Sequence, residues 1–284
     1  MRAEAFAKLN LSLRVRAADA SGRHPLRSLA QSIDWADRLA LKTSEADVFS
    51  VTGLPVAPDE SNLAWRALEA ARRASPHPAP AALDLHKEIP VAAGLAGGIA
   101  DAAAALALAS ARYGLTSAER AALAPALGAD VPFCLLGGTA WMEGHGERLE
   151  PLPPLTSFRL AVVVPPFEVS TAAAYRRWDD LGGPEGQAAP GRDLPPELRP
   201  YEPLANDLLP AARSLAPALG DWMADLARRW GRAVLMSGSG PALFSFFPTA
   251  SEAEDAAAAV PGARAARACR PVPQGWRVPS GTLP

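Results

Sequence analysis

The stretch Ile89-Pro90-Val91-Ala92-Ala93-Gly94-Leu95-Ala96-Gly97-Gly98-Ile99-Ala100-Asp101-Ala102-Ala103-Ala104-Ala105-Leu106 decides how this chain is read. It places Pro90, Gly94, Gly97 and Gly98 directly before an alanine-rich run of high helix propensity, a turn and then a helix. Glycines allow the backbone to approach a ligand closely. The free N–H groups and positive dipole end of the following helix then face an anion. That order suits a phosphate-binding loop formed by Pro90, Gly94, Leu95, Ala96, Gly97, Gly98, Ile99 and Ala100. The spacing matches neither G-x-x-x-x-G-K-[ST] nor a G-x-G-x-x-G after a strand. A glycine- and alanine-rich turn before a helix also occurs for purely structural reasons.

Working outward, residues 82–86 read as a short strand that enters the loop through Lys87-Glu88, and a helix is expected from about 101 to 112, stopped at Tyr113-Gly114. Upstream, residues 6–15 alternate apolar and polar, the period of a half-buried strand. Leu9, Leu11 and Leu13 share one face; Lys8, Asn10, Ser12 and Arg14 share the other, which solvent covers in an ordinary amphipathic strand. A loop over residues 20–25 exposes His24. Strands are expected at 29–35 and 38–42 around a turn at Ala36-Asp37, and at 48–51. Ser61 is a good N-cap for a helix with Leu63, Ala67, Leu68 and Ala71 at helical spacing.

Downstream, Thr116-Ser117-Ala118-Glu119 has the capping-box pattern. Asp130 follows a glycine turn in an otherwise apolar segment, where a charge needs a partner or a task. Leu152-Pro153-Pro154-Leu155 reads as a hinge, giving domains 1–150 and 151–284. The second half opens with an apolar strand, 159–164; Ser170-Thr171 then cap a helix that carries Tyr175 and Trp178. Residues 181–204, rich in Gly and Pro, read as a mobile surface loop. Helices are expected to about 219, at 222–230 and at 251–260, the last capped by Ser251. Residues 233–247 read as strand, glycine turn, strand, and an edge strand is expected at 263–268 or 275–278.

A net charge of −2 and a pI near 6.1 argue against a nucleic-acid surface, which is usually strongly basic. Cys134 and Cys269 show no paired or metal-ligand spacing, so both are expected as small core residues in a reducing cytoplasm. No leader segment and no membrane span is expected.

Taken together, Ala7-Lys8-Leu9-Asn10-Leu11, Ser21-Gly22-Arg23-His24, Asn62-Leu63, the opening stretch, Gly128-Ala129-Asp130-Val131-Pro132, Glu143-Gly144-His145-Gly146-Glu147, Asn206-Asp207-Leu208 and Met236-Ser237-Gly238-Ser239-Gly240 resemble the motifs of the GHMP small-molecule kinases in order and spacing. The resemblance implies an α+β, two-domain fold: an N-terminal domain like ribosomal protein S5 domain 2 and a ferredoxin-like C-terminal domain, with ATP in the cleft between them. It implies transfer of a phosphoryl group from ATP, with Mg²⁺, to an alcohol. Within the family the motifs point to the branch acting on a cytidine diphosphate conjugate of methylerythritol, as a cytoplasmic monomer or weak homodimer. By the same resemblance Lys8 and Asp130 are catalytic, and Asn62, Lys87, Gly238 and Gly240 join the loop in binding ATP. Asn10, Arg23, His24, His145 and Tyr175 then contact the substrate. The family's usual tyrosine before the histidine is Arg23 here, and the loop's usual serine is Ile99. The second departure should leave a slowed enzyme, because most phosphate affinity in such a loop comes from backbone N–H groups. A silent nucleotide-binding homologue and a kinase of altered substrate are the competing readings.

Overall fold

The alternation near the N-terminus builds a 14-residue strand, β1 (Arg2–Val15). It pairs antiparallel with an 18-residue strand, β2 (Leu26–Thr43). The computed structural model describes residues 1–201, 203–258 and 260–279. The expected turn at Ala36-Asp37 does not form, and β2 runs straight through it. Aspartate favours turns when its carboxylate must find local donors. Here Asp37 is fully buried and accepts from the N–H groups of Glu88 and Ile89, so the strand continues.

β3 (Val48–Gly53), α1 (Leu63–Ala74) and β4 (Ala81–Lys87) follow. The cap of α1 is Asn62, one residue after the expected Ser61. α2 (Gly97–Tyr113) starts at the glycines themselves, and its alanines allow burial on nearly every side. α3 (Ser117–Leu127) has the expected capping box, and α4 (Val131–Leu136) begins just after Asp130. A hairpin, β5 (Thr139–Gly144) and β6 (Arg148–Leu152), completes this half.

The second sheet holds β7 (Arg159–Val164), β8 (Leu235–Met236), β9 (Leu243–Phe247) and β10 (Ala265–Cys269), in the order β10-β7-β9-β8 and all antiparallel. Around it lie α5 (Thr171–Asp180), α6 (Leu209–Leu215), α7 (Ala218–Trp230) and α8 (Ala250–Ala258). α7 starts four residues earlier than the expected 222, after the break at Pro217. Thr249, not Ser251, caps α8, its Oγ1 accepting from the N–H of Glu252 at 3.2 Å. Residues 181–204 are not a free surface loop. They contain two 3-10 turns and bury Leu194, Leu198 and Leu204 in the core under the second sheet.

Both expected edge strands form, but in different sheets. β10 closes the second sheet, whereas β11 (Trp276–Arg277) pairs with β1 in the first. The first sheet is seven-stranded, with main path β11-β1-β2-β4-β3, so the chain after Cys269 returns to the N-terminal domain. Cys134 and Cys269 are free and buried, as expected. Among the described residues no helix is long and apolar enough to cross a membrane.

A register irregularity between Phe6 and Lys8 changes which face of β1 each residue occupies. Ala3 and Ala5 belong to the core under α1 and α2; Ala7, Leu9 and Leu11 belong to a second core with Leu160, Val162, Val164 and Phe244 of the other sheet. The face bearing Lys8 and Asn10 is not solvated: they are only 4% and 5% exposed, enclosed where the two domains meet.

Leu9 is therefore core between domains. Leu9→Ala is expected to lower unfolding free energy by about 2–5 kcal/mol, and Val48→Ala, at a half-exposed site, by less than about 0.5 kcal/mol. Equal urea midpoints for the two variants would show that the domains do not pack through β1.

Candidate active site

A cleft of about 580 Å³ opens between the domains, lined by residues of β1, the 89–99 loop, Asp130, His145, the start of α5 and the turn at Gly238-Ser239. The loop forms its floor. The first hydrogen bond of α2 runs from Ala100 N to Ala96 O at 2.9 Å, so the N–H groups before it have no helical acceptor. A Cβ on Gly98 would meet nothing within 4 Å, which leaves this end of the helix open toward the cleft. Three contacts hold the loop from outside. Lys8 N donates to Leu95 O at 3.0 Å, Ala242 N to Ala93 O at 2.9 Å, and Ser237 Oγ to Gly94 O at 2.8 Å. Gly94 must be glycine: its φ is +78° and a Cβ there would sit 2.4 Å from Ser237 O. Gly238 and Gly240 thus belong to a turn that braces the loop from the second domain.

Ala96 takes a backbone conformation that alanine rarely adopts. It sits at φ 56°, ψ 30°, the left-handed region, and Ala92 is left-handed as well. The strain, of order 1–2 kcal/mol per residue, is held by the packing on both sides, as often occurs at functional sites.

Above the loop, Lys8 Nζ lies 3.1 Å from Asp130 Oδ2 and 2.6 Å from Asn10 Oδ1. Asn10 Nδ2 donates in turn to Ser28 Oγ at 2.6 Å, so Asn10 aims the lysine. The Lys8 side chain is 6% exposed and that of Asp130 29%, leaving the carboxylate accessible from the cleft. Gly146, at φ +118°, packs against this carboxylate; a Cβ there would lie 2.9 Å from Asp130 Oδ1. The hairpin turn that carries His145 therefore fits only a glycine at this point.

Tyr175 lines the same cleft. Its phenol is pushed up to about 12 by burial, with the charge of Asp130 adding to the effect. His24 is not a free loop residue. Its ring lies 5.0 Å from that of Tyr175 and 5.6 Å, edge-on, from Trp178, and its Nε2 pairs with Asp179 at 2.9 Å. Neither His24 nor Trp178 is among the residues lining the cleft; Trp178, 5% exposed, packs behind the histidine, and its i+3 spacing from Tyr175 is the signal that could have placed it there. Arg23 is exposed and does not line the cleft. His145 does line it and pairs through Nε2 with Asp19 at 2.9 Å.

Asn62 and Lys87 stand apart from the other expected nucleotide contacts. Both polar ends of the Asn62 side chain are used in capping, toward Ala64 N and Ala57 O. Lys87 is 2% exposed, and its ammonium bonds both Asp37 and Asp101, the latter at 2.6 Å. Burial works against its charge, yet Asp101 and Asp37 outweigh this and raise its pKa. Burial, reinforced by the Asp37 charge, pushes the Asp101 carboxyl well above the ordinary range. This cluster lies beneath the loop: a Cβ on Gly97 would come within 3.2 Å of Lys87 Nζ. Lys87 therefore supports the floor of the cleft and is not a free cation in it. Asp130 is the one carboxylate among the described lining residues and is committed to Lys8. Among the described residues no three His, Cys, Asp or Glu side chains converge as a metal site.

Comparison with known proteins agrees with this geometry. The GHMP kinases N terminal domain matches residues 62–138, and the GHMP kinases C terminal domain matches residues 191–266. The chain belongs to the GHMP kinases. It is 41% identical to a Moorella thermoacetica protein named 4-diphosphocytidyl-2-C-methyl-D-erythritol kinase, over 84% of this chain and 87% of that one. It is 37% identical to the protein of that name from Rhizobium johnstonii, over 92% and 89%. A crystal structure of 4-(cytidine 5'-diphospho)-2C-methyl-D-erythritol kinase superposes with a TM-score of 0.77 at 34% identity, covering 95% of this chain and 99% of that one. Homoserine kinase from Cytophaga hutchinsonii shares the fold, with a TM-score of 0.71 at 18% identity over 98% and 96% of the two chains.

Two substitutions test the floor of the cleft. Lys87→Ala strands two buried carboxyls and is expected to lower stability by about 3–5 kcal/mol in urea denaturation. A rise in KM for ATP with no loss of stability would instead make Lys87 a nucleotide contact. Ala96→Gly should relieve the left-handed alanine and raise stability by up to about 1 kcal/mol; a fall in the denaturation midpoint would refute the strain.

Proposed function

We infer that the protein transfers the terminal phosphoryl group of ATP to the 2-hydroxyl of 4-diphosphocytidyl-2-C-methyl-D-erythritol, a step toward isoprenoid precursors by the non-mevalonate route. The observation that carries this reading is the Lys8–Asp130 pair, 3.1 Å apart, beside an open helix N-terminus in one cleft. The names of the relatives support the choice of substrate.

Phosphoryl transfer passes through a loose transition state, so catalysis is mainly positioning and stabilisation of charge. Asp130 orients the hydroxyl and accepts its proton as the new P–O bond forms. Lys8, aimed by Asn10, balances the Asp130 charge and offsets the negative charge on the group in flight. The N–H groups at the start of α2 hold the phosphates. Mg²⁺ bound with ATP would screen the phosphate charge, and among the described lining residues Asp130 is the carboxylate that would face it. Tyr175, with His24 packed beside it, offers the ring on which a cytosine stacks, a contact worth about 1–3 kcal/mol in base-stacking sites.

Asp130→Ala and Lys8→Ala are each expected to lower kcat by about 10²–10⁴-fold, with ATP affinity nearly unchanged. Steady-state assay with ATP-Mg and the cytidine substrate measures this. Near-parental kcat in either variant would remove that residue from the mechanism, and an inactive parent would favour the silent-homologue reading.

A further inference from the structure

Ile99 brings no hydroxyl to the loop, and its side chain packs instead toward the core under α1 and α2. Its Cδ1 fills the space beside Gly128, where a Cβ would meet it at 3.1 Å. A hydrogen bond to the phosphates from this position is therefore missing. Across the cleft, among the described lining residues, the only aliphatic hydroxyls are those of Thr171 and Ser239, with oxygens 2.8 Å apart.

Their neighbours are fully employed. Ser170 Oγ caps α5 by accepting from Ala173 N, while Ser237 Oγ accepts from Asn10 N and donates to Gly94 O. Among the described residues, the hydroxyls of Thr171 and Ser239 bond only each other. Two hydroxyls joined by one hydrogen bond keep one O–H donor to spare, and the surface beside it is the cleft. Both residues are placed toward the reacting groups. Tyr175, four residues after Thr171 on the same face of α5, is close enough to Asp130 to feel its charge. Gly238, next to Ser239, lies against Asn10: a Cβ on it would be 3.3 Å from Asn10 Oδ1, the atom that accepts the hydrogen bond from Lys8.

We propose that the Thr171–Ser239 hydroxyl pair donates, from the second domain, the hydrogen bond to the transferring phosphoryl group that Ile99 withholds from the first. The proposal rests on the kinase reading above. The pair acts at the phosphoryl oxygens and not at the cytidine end, so it should act on kcat and leave recognition of the cytidine substrate alone.

The test compares the parent, Ile99→Ser, the double variant Thr171→Val/Ser239→Ala, and the combination of all three substitutions, by steady-state kinetics. A hydrogen bond to a charged group corresponds to roughly a 10- to 150-fold rate effect. The double variant should lose about that factor in kcat with KM for the cytidine substrate within about threefold, while Thr171→Ser keeps parental rates. Ile99→Ser should raise kcat less than about threefold in the parent but recover about tenfold or more in the double variant, because the two donors substitute for each other. If Ile99→Ser changes both backgrounds by the same factor, or the double variant keeps parental kcat, the proposal fails while the kinase reading stands. A parent inactive with ATP-Mg and the cytidine substrate would overturn both together.

Discussion

The interaction on which the site depends lies below it, where the Lys87 ammonium is held, almost wholly buried, between Asp37 and Asp101. A buried charge is costly unless it is paired and hydrogen-bonded, and this cluster meets both conditions by tying three elements together. Asp37 comes from β2 and also accepts from the N–H groups of Glu88 and Ile89, Lys87 ends β4, and Asp101 stands in the first turns of α2. The loop is suspended between the last two. Its ends cannot shift without separating charges in a medium that screens them poorly. That rigidity lets Ala92 and Ala96 persist in left-handed conformations. Burial and the neighbouring Asp37 charge raise the pKa of Asp101, as expected where two acids are enclosed beside one ammonium.

Much of this was legible in the sequence because short-range rules sufficed. Alternation placed Lys8 and Asn10 side by side, glycines marked the loop, and an isolated charge in apolar surroundings marked Asp130. The misreadings share a physical cause, in that each depended on partners distant in the chain. Asp37 looked like a turn residue because its carboxylate is satisfied by Lys87 and by N–H groups some fifty positions away. Lys87 gave no sign that its ammonium bonds Asp37 and Asp101, because nothing local reveals two buried acids. Ala96 gave no sign of its backbone angle, which follows from how the loop is braced from the second domain. Residues 181–204 hid three buried leucines among glycines and prolines, too sparse to form a period.

The domains are joined by more than the hinge. The irregularity in β1 turns Leu9 and Leu11 toward the second sheet while Lys8 turns toward Asp130. One local slip in register thus builds the interdomain core and aims the Lys8 ammonium at Asp130. The turn at Ser237–Gly240 makes the reciprocal contact, bonding both the loop and Asn10. A cleft built this way positions groups from both halves on packed elements, which is what a reaction governed by placement requires.

The pairing of β11 with β1 has a consequence for biosynthesis. The strand that carries Lys8 is translated before the second domain, yet one of its neighbours, β11, is translated only after it. Until then β1 presents unpaired backbone groups at an open edge, the kind of surface that recruits foreign strands. The nascent chain must keep that edge from improper partners while the whole second domain is made, and the first sheet closes only afterwards.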